Sequence, residues 1–139
     1  MTIEDQPPPI ATTRRPAWDL VIDDAEKILT VNDDTPVIKS ALKLAMVDMR
    51  ERDRIGRERY KVPLTSGNGR NHLIDAYQEQ LDTLVYLRAW LDEHSNIGHP
   101  DSERVRDRAI TVAAMYTQTL SMVVHMRALI EDTIGREVS

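Results

Sequence analysis

The chain of 139 residues contains no cysteine. Disulfides, thiolate metal sites and a cysteine nucleophile are therefore excluded. No apolar run approaches the roughly 20 residues of a membrane span. The opening stretch MTIEDQPPPIATTRRP lacks the apolar core of a secretory signal, so neither a membrane partner nor export is expected. A strand pattern is missing too, because the short apolar runs are embedded in longer helical periods. There is no G-x-S-x-G, no P-loop and no dinucleotide fingerprint, and His72, His94, His99 and His125 show no metal-ligand spacing. His125, in an apolar stretch, reads as a hydrogen-bonded core residue. The formal net charge of −5 argues against general nucleic-acid affinity, although the run RERDRIGRERYK (50–61) is locally basic.

What is present is a globular balance, 41% apolar and 29% charged, in a length that suits one modest core. Residues 1–15 carry QPPP and read as a flexible or extended arm, and 16–139 as a single helical domain. Pro16 opens a first helix, with Trp18, Val21, Ile22, Ala25, Ile28 and Leu29 at roughly helical spacing. NDDTP interrupts it; Thr35 then suits an N-cap and Pro36 the first helical position of a second helix reaching about Tyr60. KVPLTSGNGRN is a loop. A third helix is predicted from the N-cap Asn71 to Glu93. After HSNIGHPD, Asp101 or Ser102 caps a fourth, expected to end near Ile134, ahead of Gly135. The expectation is an all-α, four-helix bundle-like fold. The fourth helix is apolar nearly all round, which calls for a central position or a second interface, hence a homo-oligomer, dimer or tetramer.

The third and fourth helices are related. Residues 76–93 laid on 115–132 give five identities: Tyr77/Tyr116, Leu81/Leu120, Val85/Val124, Arg88/Arg127 and Ala89/Ala128. Duplication and two amphipathic helices of one plan explain this equally well. The acids are not repeated: Asp75, Glu79 and Asp82 become Ala114, Gln118 and Ser121. At about 100° per residue these three acids share one stripe with Tyr86, opposite Leu73, Tyr77, Leu81, Leu84, Leu87 and Leu91. Such a stripe is either a solvated face or a site for a hard divalent cation, which takes oxygen ligands. Asp48 and Glu51, three apart on the second helix, form another acidic pair. Antiparallel packing of the second and third helices would set the pairs face to face; alternatively Asp48 and Glu51 pair with Arg52 and Arg54.

The stretch DMRERDRIGRERYKVPLTSGNGRNHLIDAYQEQLDTLVYLRAWL resembles a family of small, mostly phage and plasmid proteins. Their pattern is R-x-x-x-G-x-x-x-Y-G-x-P-L, then N-G-R-x-x-L-x-D-A-Y-x-E-x-L-D, then Y-L-R. It covers about a third of the chain, and Lys61 departs from it where the family has Gly. The E-x-x-D of Glu79 and Asp82 is also similar to the second motif of the MazG-like all-α nucleoside triphosphate pyrophosphohydrolases. The first motif of that superfamily, E-x-x-E, would here be Asp48-x-x-Glu51, a departure at its first acid.

That resemblance implies Mg²⁺ (or Mn²⁺) held by Asp48, Glu51, Asp75, Glu79 and Asp82, with Glu51 or Glu79 as general base. It implies a nucleotide substrate contacted by Arg57, Arg59, Lys61, Asn68, Arg70 and Tyr86, and a Thr65–Arg70 loop that closes over it. The implied setting is cytoplasmic, that of the host for a phage protein, and the implied role is control of a phage nucleotide pool. The fourth helix would then keep the scaffold without the metal. The alternative is a non-catalytic interaction or phage accessory module that self-associates through its C-terminal helix, with Val112, Met115, Met122, Val123, Met126 and Ile130 at the contact.

Overall fold

The computed structural model describes residues 6–31, 36–94 and 102–138. They form four helices: α1 (Ala17–Val31), α2 (Pro36–Tyr60), α3 (His72–His94) and α4 (Ser102–Val138). No strand occurs among the described residues, so the all-α expectation holds. Predicted and observed helix starts agree to within a residue. The far end of α4 differs, because the helix runs through Gly135 to Val138. A lone glycine inside a helix costs only about 1 kcal/mol. Thr35 and Asp101, read as caps, lie outside the described residues.

The chain divides into two compact units on either side of Arg70/Asn71. In the first, α1 packs on α2, and among the described residues its buried apolar side chains are Ala25 and Met46. Arg15–Asp23 (2.6 Å) and Arg50–Glu26 (3.8 Å) close its rim; exposed pairs of this kind contribute about 0–1 kcal/mol each.

Residues 6–15 are laid along the loop that follows α2. Ile10 N–H donates to the Asn68 carbonyl (3.0 Å) and Ala17 N–H to the Leu64 carbonyl (2.7 Å). Thr12 Oγ1 donates to Thr65 Oγ1 (2.7 Å), and Pro16 and Thr65 form an isolated antiparallel bridge. Thr65 and Asn68 are buried as a result. Gly67 has φ +70°, a left-handed conformation that favours glycine, and a Cβ there would stand 3.2 Å from the Arg14 guanidinium, which would have to give by a few tenths of an ångström.

α2 ends on a left-handed residue. Lys61 has φ +63°, and its N–H donates to the Arg57 carbonyl (2.9 Å). This is a left-handed helix cap, a place for glycine. A side chain there costs about 1–2 kcal/mol, partly offset by the extra freedom that glycine gives the unfolded chain, about 0.5–1 kcal/mol. Lys61→Gly is therefore expected to stabilise the protein by roughly 0.5–1 kcal/mol. A higher urea midpoint checks this; an unchanged or lower midpoint contradicts it.

In the second unit Asn71 Oδ1 accepts the N–H groups of Leu73 (3.1 Å) and Ile74 (3.2 Å), as an N-cap does. α3 then packs on α4. Tyr77, early in α3, lines an open groove with Val123, Val124, Arg127, Ala128 and Glu131, late in α4, so the helices run antiparallel. The inward residues of α4 are Val105, Ala109, Val112, Tyr116, Thr119, Val123, Met126 and Ile130, at alternating steps of four and three. That is a heptad seam. Thr119 is buried in it, and its hydroxyl donates to the Met115 carbonyl (2.8 Å).

Candidate acidic site

α3 carries the three acids where helical phase predicts them. Glu79 and Asp82 are exposed, one turn apart, and Asp75 is half-buried one turn earlier. Neither Glu79 nor Asp82 forms an ion pair among the described residues. Some acids elsewhere are matched by cations: Asp23 by Arg15, Glu26 by Arg50, Asp53 by Arg57 and Glu131 by Arg127. Glu79 and Asp82 thus keep carboxylate oxygens that no Lys or Arg occupies among the described residues, on a face turned away from α4. No group of three or more His, Asp or Glu side chains converges as a metal cage among the described residues. Two carboxylates one turn apart nevertheless suit Mg²⁺, which commonly takes one or two carboxylates and completes its shell with water and phosphate oxygens.

The α2 pair is placed differently. Asp48 is exposed and forms no ion pair among the described residues. Glu51 is engaged: Arg54 Nε donates to its Oε2 (3.0 Å) and Nη2 to its Oε1 (2.7 Å). The same guanidinium donates through Nη1 to Glu58 Oε2 (3.0 Å). The hydrogen bond from Arg54 holds the Glu51 carboxyl below the usual carboxylate range. The Arg54 part of the ion-pair alternative is therefore present, and Arg52 takes no part in it among the described residues. A carboxylate with both oxygens on an arginine is a poor general base. Asp48 and Glu51 belong to the first unit and Glu79 and Asp82 to the second.

A depressed pKa stabilises the folded chain above the ordinary glutamate range, and that contribution is lost as pH falls through the lowered value. In a carboxyl ¹³C NMR titration Glu51 is expected to titrate below the ordinary glutamate range and to return to it in Arg54→Ala. A wild-type Glu51 already in the ordinary range would show the pair to be absent in solution.

The expected phosphate-binding residues are dispersed. Arg57 donates to Asp53 (2.9 Å), and that bond raises its pKa. Arg59 lies over the Tyr60 ring, 5.2 Å from its centroid. Lys61 is exposed at the helix cap. Arg70 Nη1 donates to the Pro7 carbonyl (2.7 Å). Asn68 is fully buried: its Oδ1 accepts the Arg70 N–H (3.2 Å), while Nδ2 finds no partner among the described residues. Tyr86 is exposed on the acidic side of α3. Asn68 is covered by the chain's own residues 6–15.

Sequence reasoning missed Thr12 and Arg14, which hold the loop. Arg14 Nη1 donates to Ser66 Oγ (3.3 Å), across 52 residues. No local signal marks such a pairing; the only hint was a polar arm beside a glycine-rich loop. His125 is a correction: it is exposed on the outer face of α4 rather than in the core, with Nδ1 2.7 Å from the Ser121 carbonyl.

Compared with protein-family models, curated proteins and solved structures, the chain matches none. No helix among the described residues is long and apolar enough to cross a membrane.

Proposed function

We propose that the protein is a Mg²⁺- or Mn²⁺-dependent nucleoside triphosphate pyrophosphohydrolase of the MazG-like kind. It would convert an NTP or dNTP and water into the monophosphate and pyrophosphate. One observation carries this reading: Glu79 and Asp82 stand one helical turn apart, both exposed and neither in an ion pair among the described residues, so their oxygens are open to a cation. The sequence resemblance around them supports it.

The bound cation would neutralise phosphate charge and lower the pKa of an attacking water. Glu79 and Asp82 supply oxygen ligands, and Asp75 extends the stripe. Glu79 is the better candidate for general base, because Glu51 is tied to Arg54. Tyr86, exposed on the same face, offers a surface for the base. The test is a hydrolysis screen of the purified chain against the common NTPs and dNTPs with Mg²⁺ or Mn²⁺, read by ³¹P NMR. Pyrophosphate and monophosphate in equal amounts support the reading.

A second reading is a non-catalytic, self-associating helical module. The exposure of Met115 and Met122 on α4 favours it, since methionine surfaces adapt to partners. Of the other residues expected at such a contact, Val123 and Ile130 are buried and Val112 and Met126 half-buried in the α3–α4 seam. Absence of turnover with every nucleotide and metal would favour this module.

A further inference from the structure

The repeat between α3 and α4 has a structural meaning that the seam does not explain. Packing of two helices on each other calls for complementary inward residues, not identical ones. Tyr77 and Tyr116 stand at the edge of the seam, and the other four identities lie away from it. Taking Tyr77 and Tyr116 as the origin, Arg88/Arg127, Leu81/Leu120, Val85/Val124 and Ala89/Ala128 follow within an arc of roughly 120° on one side, at about 100° per residue. The seam lies mostly on the other side of the tyrosines. The repeated residues also match in exposure: Leu81 is 36% and Leu120 42% exposed, Val85 65% and Val124 60%. The sequence is written twice on the flank that α3 and α4 leave open.

In an antiparallel pair, the same flank of two like helices falls on one side of the hairpin, related by a local two-fold axis. The groove beside Tyr77 lies on that side, since Val124, Arg127 and Ala128 line it. The result is one apolar face with Leu81, Val85, Leu120 and Val124 at its centre. Each helix continues it with an arginine, Arg88 or Arg127, and an acid four residues on, Asp92 or Glu131. Both ends of the face therefore carry both signs of charge.

We infer that this face docks on the same face of a second copy of the chain, joining two α3–α4 hairpins into a symmetric dimer. A face that maps onto itself by rotation is suited to an isologous contact, in which one patch serves both partners. The size is adequate. A helix of the length of α3 spans roughly 35 Å, and two helices packed 8–10 Å apart present a face roughly 20 Å wide. About 700 Å² per copy follows, close to the ~800 Å² per partner of a standard stable interface. The acidic stripe of α3 lies beyond the rim of this face, so the dimer leaves Glu79 and Asp82 open and does not depend on catalysis.

The first test is mass in solution by sedimentation equilibrium. The expected mass is twice the 15.9 kDa of the chain, and Val85→Asp/Val124→Asp is expected to be a monomer with helical circular dichroism retained. Met122→Asp, on the other flank of α4, is expected to stay dimeric. A monomeric wild type overturns the inference, and so does a dimer broken by Met122→Asp but not by the valine variant. Should the valine variant unfold, the native absence of cysteine allows a second approach. Val124→Cys is expected to cross-link between copies with a short bis-maleimide while Met122→Cys is not; the reverse pattern also overturns the face.

Discussion

Glu79→Gln is expected to remove metal-dependent pyrophosphate release by ~100-fold or more, the lower end of what a positioned acid–base group contributes. The change keeps the size of the side chain and removes its charge. Glu79 is exposed and its side chain makes no ion pair among the described residues, so circular dichroism and the urea midpoint should stay at wild-type values. Asp82→Asn is expected to act in the same direction and to raise the Mg²⁺ concentration needed for half-maximal rate. Glu51→Gln separates the two acid pairs. It breaks a bidentate bond to Arg54, so its effect on rate is read apart from that of the α3 acids. Turnover that survives Glu79→Gln and Asp82→Asn unchanged would remove the α3 stripe from the chemistry.

The helices were legible because the signals that make them are local. Pro36 fixes the start of α2 through its own ring, and Asn71 caps α3 through two N–H groups within three residues. The acidic stripe was legible for the same reason: phase along one helix follows from spacing alone. The glycine-family position at Lys61 acquires its cause only in the structure, where that residue is left-handed. What spacing does not carry is pairing across distance. Residues 6–15 read as an arm, yet they cover Asn68 and Thr65 through bonds spanning about fifty residues. Arg52 is the immediate neighbour of Glu51 in sequence, but side chains one residue apart on a helix do not face each other, and the i,i+3 spacing selects Arg54. The repeat was visible at once, but its exposure was not, because identity between helices does not say which flank is covered.

Ile130→Ala is expected to be the most destabilising single truncation in the second unit. Ile130 is 2% exposed, at the end of the α3–α4 seam, and α3 itself has no fully buried residue. The seam therefore depends on a few α4 side chains. Truncating a buried isoleucine costs about 2–5 kcal/mol through lost burial and the cavity left behind. That is a large part of the roughly 5–15 kcal/mol that a domain of this size has in total. Leu129→Ala supplies the comparison. Leu129 has the same number of side-chain carbons and is the adjacent residue, but it is 55% exposed on another flank of the helix. Its truncation is expected to cost about 0.5 kcal/mol or less. The contrast isolates helical phase, because both changes lose nearly the same volume within one turn of α4. Urea melts should be compared at one protein concentration, since association adds to apparent stability by mass action. Equal costs at the two positions would mean that Leu129 is also covered in the assembled protein, and a partner on that flank would then have to be sought.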